Sequence, residues 1–184
     1  MARRQDAHPV LLTARLRLRQ FRDADADGLH ACLSSGEATR FWNTPPHARR
    51  LDTERAVSRM IDCTPSYYRF WAVADLGSDR CIGMANYHDG HIRNRRAAIG
   101  YIIEPSLHRR GLATEAVTAL IDHCFGTLGL HRLQALIQPG NAASRALVER
   151  LGFRREGVLR DNLRVGDEWR DELLYARLGT DAAP

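Results

Sequence analysis

Lysine is missing from this chain: all 27 basic side chains among its 184 residues are arginine. Genomic base composition explains that more simply than function does, and it leaves no side-chain amine for acylation. Cysteine is sparse. Cys32, Cys63, Cys81 and Cys124 are far apart and form no C-x-x-C pair, so neither a zinc cluster nor a disulfide framework is indicated. His88 and His91 in "HDGH" offer two metal ligands without a third; they are read as loop residues, and no metal is expected. No apolar run approaches the roughly 20 residues of a membrane span. The one in "MARRQDAHPVLL" is too short for a signal peptide. A cytoplasmic protein without membrane partners is the expectation. The chain also lacks G-x-x-x-x-G-K and G-x-G-x-x-G, which removes the Walker loop and the dinucleotide fingerprint.

What is present fits one packed domain. Hydrophobic residues make up 44% and charged residues 27%, a balance that sustains a core and argues against disorder. With no repeat, low-complexity tract or linker, we place a single domain at 11–179 between short tails at 1–10 and 180–184. The net charge of +5 suits an anionic ligand. Nucleic acid would need an arginine cluster, and the arginines are scattered.

Periodicity gives the elements. "LRLRQF" alternates as a half-buried strand, and Asp23 and Asp25 offer caps to a helix reaching Ser34. "WNTPPHARR" is turn-like, and Thr53 is read as the cap of a helix over 54–63. "FWAVAD", "CIGMANY" and "AAIGYII" predict three strands, the last ending at Glu104-Pro105. Ala113, Ala116, Val117, Leu120, Ile121 and Cys124 make one helical stripe. "RLQALIQ" predicts a strand, Asn141 caps a short helix, and Gly152-Phe153 resembles a glycine stop. A hairpin turning at 165–167 completes a mixed α/β order, β-α-α-β-β-β-α-β-α-β-β.

The chemistry gathers at "PSLHRRGLATEA". A helix N-terminus leaves amides unpaired and carries partial positive charge, so it receives anions. Gly111 would let backbone approach a phosphate, and Arg109 and Arg110 would add attraction. An ordinary turn with solvated arginines reads equally well from that stretch alone. "QPGNAASRALVERLGF" adds Asn141 just past a strand and Ser144 in the next helix's first turn.

Taken together, "HRRGLA", "GLATEA", "NAASRALVERLGF" and "RDELLYARL" resemble the GNAT superfamily of acyl-CoA-dependent N-acyltransferases, nearest its ribosomal-protein alanine N-acetyltransferase branch. The likeness runs from about Leu11 to Leu178. The family's pyrophosphate motif, Gln or Arg, two residues, Gly, one residue, Gly or Ala, is met at Gly111 and Ala113, with His108 departing from it.

The resemblance implies a mostly antiparallel sheet, helices on both faces, and a splayed strand pair that admits acetyl-CoA. It assigns cofactor contacts to Ile102 and Ile103, to the turn His108, Arg109, Arg110, Gly111, Leu112, Ala113 and Thr114, and to Asn141 and Ser144. It implies direct attack of an amine on the thioester, with Glu104 as base or merely a solvated carboxylate. Ser144 either donates a proton to the leaving thiolate or simply bonds the cofactor. Trp42, Tyr87 and His88 are proposed acceptor-lining residues, and Trp71 is read as core. The acceptor is a protein N-terminus or a small amine such as an antibiotic, polyamine or amino acid; a non-catalytic acyl-CoA-binding module is the rival. Related proteins are often dimers, so a homodimer is the weaker expectation.

Overall fold

A computed structural model describes residues 8–182 of the chain. Twelve elements carry the fold. Strands β1 (Leu11–Leu12) and β2 (Leu16–Arg19) lead into helices α1 (Ala26–Leu33) and α2 (Arg50–Ile61). Strands β3 (Arg69–Asp75), β4 (Cys81–His91) and β5 (Arg96–Ile103) follow, then helix α3 (Leu112–Asp122). Strand β6 (Arg132–Ile137), helix α4 (Ala142–Arg150) and strands β7 (Arg154–Val165) and β8 (Glu168–Leu178) finish it. The strands form one 8-stranded sheet in the order β1-β2-β3-β4-β5-β6-β8-β7. Every neighbouring pair is antiparallel except β5 and β6.

Strand alternation sends side chains to two faces. One face carries Leu16, Leu18, Trp71, Val73, Ala85, Tyr87, Ala97, Ile99 and Leu133, covered by the stripe Ala116, Val117, Leu120 and Ile121 of α3. The other carries Ala72, Cys81, Met84 and Ile102 under Leu29, Cys32, Leu33 and Val57 of α1 and α2. Residues of opposite parity on each strand therefore look at opposite helical layers.

Two expectations needed correcting, and one short strand was not foreseen. Helix α2 starts at Arg50, before Thr53, because the Asp52 carboxylate accepts from the Arg49 amide at 3.1 Å and caps the helix earlier. Thr53 is buried, its hydroxyl bonded to His30 and His47 at 2.8 and 2.9 Å. His88 and His91 belong to β4 and not to a loop, since the strand runs on past "CIGMANY". The two-residue β1 is too short to carry a pattern.

Candidate active site

The site begins where the parallel pair comes apart. Strands β5 and β6 pair only through Arg96, Ala97 and Ala98 against Arg132, Leu133 and Gln134. Beyond that, β5 stays bonded to β4 as far as Ile103, and β6 stays bonded to β8 as far as Ile137. Their facing edges are left without ladder partners, in a gap at the middle of the sheet. The Glu104 amide donates to the Ile82 carbonyl on the β4 side at 2.9 Å. Backbone groups alternate direction along a strand, so Ile102 also points to β4, whereas Tyr101 and Ile103 present their amides to the gap.

The chain leaves β5 through the short 3-10 turn Pro105–Leu107 and enters α3 through a strained bend. Arg109 and Gly111 have φ of 63° and 76°. Glycine tolerates that region, while arginine is held there at a cost of about 1 kcal/mol or more. Gly111 is the N-cap of α3 and provides no side-chain cap, so the first-turn amides of Leu112, Ala113 and Thr114 stay free for an anion.

Other groups brace this bend. The His108 ring bonds the Ile103 carbonyl at 2.8 Å, tying the bend to the end of β5. Arg15 donates to the Arg110 carbonyl at 3.0 Å and pairs with Glu115 at 2.6 Å. Thr13 donates to the same carboxylate at 2.6 Å. Burial pushes the Glu115 carboxyl up, but the Thr13 and Arg15 bonds outweigh it and hold the group below its usual range. A recess lined by Arg15, Arg80, Arg110 and Asp75 opens beside the bend.

On the α3 and α4 face, the gap holds a bonded hydroxyl pair. Tyr101 Oη lies 2.6 Å from Ser144 Oγ. Ser144 is placed by Asn141, whose Oδ1 accepts from the Ser144 amide at 3.1 Å as the N-cap of α4. Burial pushes the Tyr101 phenol up to about 12, against a smaller opposing effect of the Ser144 bond. Tyr101 escapes sequence reasoning because "AAIGYII" reads as plain strand; its parity on β5 against the α4 side is the only available signal.

On the α1 and α2 face, Asn86 and His88 lie beside Gly100. The Asn86 amide oxygen is 2.6 Å from where a Gly100 Cβ would stand, so a methyl there would make the Asn86 side chain shift. Asn86 Nδ2 approaches His88 Nδ1 at 3.3 Å. Burial holds the His88 ring below its usual basicity, partly offset by Asp89 and Glu172. Trp42 packs on the core of this face, and the Phe41 ring lies against Gly140 between β6 and α4. Tyr87 has the other parity: it is buried against Trp71 and donates to the Pro65 carbonyl at 2.5 Å, away from this face.

Glu104 is held at the end of β5 by two partners. Its carboxylate accepts from Ser106 at 2.5 Å and from Arg80 at 2.8 Å. The Ser106 bond and then Arg80 keep it below the usual carboxylate range despite partial burial. Cys124, the nearest thiol to the bend in sequence, is buried, and burial raises it to about 12, which removes it as a nucleophile. No cluster of three metal-ligating side chains occurs among the described residues. No helix there is long and apolar enough to cross a membrane.

Known proteins share this chain's sequence pattern and fold. Residues 15–154 match the family model described as "Acetyltransferase (GNAT) domain". An uncharacterized N-acetyltransferase, YoaA of Bacillus subtilis (strain 168), is 36% identical over 157 residues, covering 83% of this chain and 86% of that protein. The [ribosomal protein uS5]-alanine N-acetyltransferase of Escherichia coli (strain K12) is 34% identical over 116 residues, covering 62% and 60%. The crystal structure of a GNAT-family acetyltransferase from Bacillus anthracis superposes with a TM-score of 0.84 at 26% identity, covering 94% of this chain and all of that one.

Proposed function

Since the chain belongs to the GNAT acetyltransferase family and is an acetyl-CoA-dependent N-acetyltransferase, we propose that its acceptor is the α-amine of a protein N-terminus. The cofactor half of the reading rests on one observation above others: the gap between β5 and β6 runs toward the uncapped start of α3. That arrangement suits a thioester carrier lying along the strand edge with its diphosphate at the bend, held by amides from 109 to 114. Arg109 and Arg110 add long-range attraction. Asn141 and Ser144 flank the arm on the α4 side. Acetyl-CoA is a co-substrate, and the reaction asks for no metal.

In this reading the amine attacks the thioester carbon directly, and the C–S bond breaks as the amide bond forms. The Ile103 amide, turned to the gap, stabilises the oxyanion; such a donor is commonly worth about 3 kcal/mol. The departing thiolate meets Tyr101 and Ser144. A phenol at about 12 is roughly 3 to 4 units weaker as an acid than an ordinary thiol near 8.5, so complete proton transfer would run uphill by about 5 kcal/mol. The pair therefore serves the sulfur as hydrogen-bond donors; the lasting proton comes from solvent, and the proton that the nitrogen sheds in becoming an amide returns to solvent.

An α-amine with pKa near 7.8 is about one-seventh neutral at pH 7, whereas a lysine amine near 10.4 is about 0.04% neutral. The α-amine makes the smaller demand on a base. This matters because Glu104, ionised and held by Ser106 and Arg80, is a weak one. The similarity to a [ribosomal protein uS5]-alanine N-acetyltransferase supports the same choice. The test is thioester consumption with alanine- and serine-initiated hexapeptides against spermidine, alongside calorimetry of acetyl-CoA. Turnover of the peptides is expected. Turnover of spermidine with inert peptides would transfer the reading to small amines, and heatless titration with acetyl-CoA would remove it.

A further inference from the structure

A buried carboxylate and a buried amide face the acceptor side of the gap, and the reaction scheme above leaves both unused. Leu173 and Tyr175 of β8 pack on the α3 and α4 core, so Glu172 and Leu174 point to the opposite layer, the one that Asn86, Gly100 and His88 face. Ala135 and Ile137 of β6 likewise belong to the α3 and α4 core, which turns Gln138 to the Glu172 side. Ile137 pairs with Leu173, so Gln138 and Glu172 are the next residues outward on adjacent strands. Strand β6 borders the gap, and β8 lies directly behind it.

Both side chains are only 8% exposed. Glu172 Oε2 accepts from Asn162 Nδ2 at 2.6 Å, and Oε1 accepts no hydrogen bond among the described residues. Gln138 Oε1 receives Arg170 at 3.5 Å, which turns its Nε2 the other way. That Nε2 is buried and has no hydrogen-bond partner among the described residues. An orphaned buried donor weakens the fold unless something meets it. Across the gap, Glu172 is near enough to His88 to influence its ring. The α1–α2 loop closes the surroundings through Phe41, whose ring sits against Gly140, two residues past Gln138.

We propose that Glu172 and Gln138 dock the first residue of a peptide acceptor. The free carboxylate oxygen accepts an N–H of the α-amine, and Gln138 Nε2 donates to the first peptide carbonyl. One unmet acceptor beside one unmet donor matches the end of a peptide, which offers an amine and, one residue length away, a carbonyl. A polyamine has the first group and lacks the second. This inference rests on the N-terminal acceptor reading and adds the residues that select for it.

The test uses the full chain, acetyl-CoA, an alanine-initiated hexapeptide and spermidine. Glu172→Gln should raise the peptide KM about tenfold or more while the acetyl-CoA Kd stays within twofold. Gln138→Leu should raise the peptide KM by a similar factor and leave any residual turnover of spermidine unchanged. Gln138→Glu, which keeps the shape and removes the donor, should behave as Gln138→Leu does, so a packing effect is told apart from a lost bond. Wild-type inertness toward the peptide overturns the acceptor reading together with this inference. Wild-type turnover combined with an unaltered peptide KM in both Glu172→Gln and Gln138→Leu overturns this inference alone.

Discussion

At the scale of single residues, two positions separate cofactor grip from chemistry. Gly111 sits at φ 76° with open space beside it, and Arg15 Nη2, 3.5 Å away, is the nearest atom that an added Cβ would meet. Gly111→Ala therefore meets no wall in the free protein and bears only the left-handed backbone penalty of about 1–2 kcal/mol. Its methyl would stand at the surface that an approaching diphosphate must reach. We expect a small fall in Tm and a rise of about tenfold or more in the acetyl-CoA Kd by calorimetry; an unchanged Kd would show that the bend does not hold the diphosphate. Tyr101 behaves differently: its hydroxyl is bonded to Ser144, and in the proposed reaction the pair meets the leaving sulfur. Tyr101→Phe should lower kcat by about 10- to 100-fold with the acetyl-CoA Kd nearly unaltered, the scale of a lost hydrogen bond to a charged group. Equal losses in kcat and in affinity would instead mark Tyr101 as part of the binding surface.

At the scale of elements, the packing of α1 on β4 turns on one atom. A Cβ on Gly28 would lie 2.0 Å from the Cys81 carbonyl oxygen, and backbone cannot yield as a flexible side chain does. Gly28→Ala must push α1 off the sheet, at a cost of about 1–3 kcal/mol for overpacking. Thermal melting should show a drop of several degrees; an unmoved Tm would mean that α1 slides freely on β4. The sequence hints at none of this, since "DADGLHACL" reads as an amphipathic helix with an ordinary glycine. Local pattern makes α3 and the β3–β4 hairpin legible, because their apolar positions recur with the period of the element itself. The same holds for Asn141, whose capping bond spans three residues. What stays hidden is nonlocal. Tyr101 meets Ser144 43 residues away, and Glu172 in "RDELLYARL" resembles one more solvated charge until β6 is laid beside β8. The start of α2 is obscured for a related reason: Thr53 has the chemistry of a cap, but His30 from another helix claims its hydroxyl.

For the molecule as a whole, the placement of histidine sets how stability responds to acid. His123 is buried, its ring 5.6 Å from that of Trp71, and its Nε2 is buried without a hydrogen-bond partner among the described residues. His8 packs on the same indole at 5.2 Å, and Trp71 donates to the Pro9 carbonyl at 2.8 Å. Burial lowers both imidazoles, and the nearby Arg69 guanidinium lowers them further. A histidine whose folded pKa lies below 6.5 contributes stability that is fully present above 6.5 and is lost as pH falls, because the unfolded chain takes up the proton first. For His123 the loss begins as pH falls through 6.5 and continues while the folded ring stays neutral. Carboxylates held below their usual range, such as Glu115 and Glu104, begin to weaken the fold only below about 4.5. Between pH 7.5 and 5.5 the decline in Tm therefore belongs to histidine. His123→Asn, which cannot titrate, should shift the starting Tm and flatten that decline; a slope equal to the wild type's would place the titrating group elsewhere.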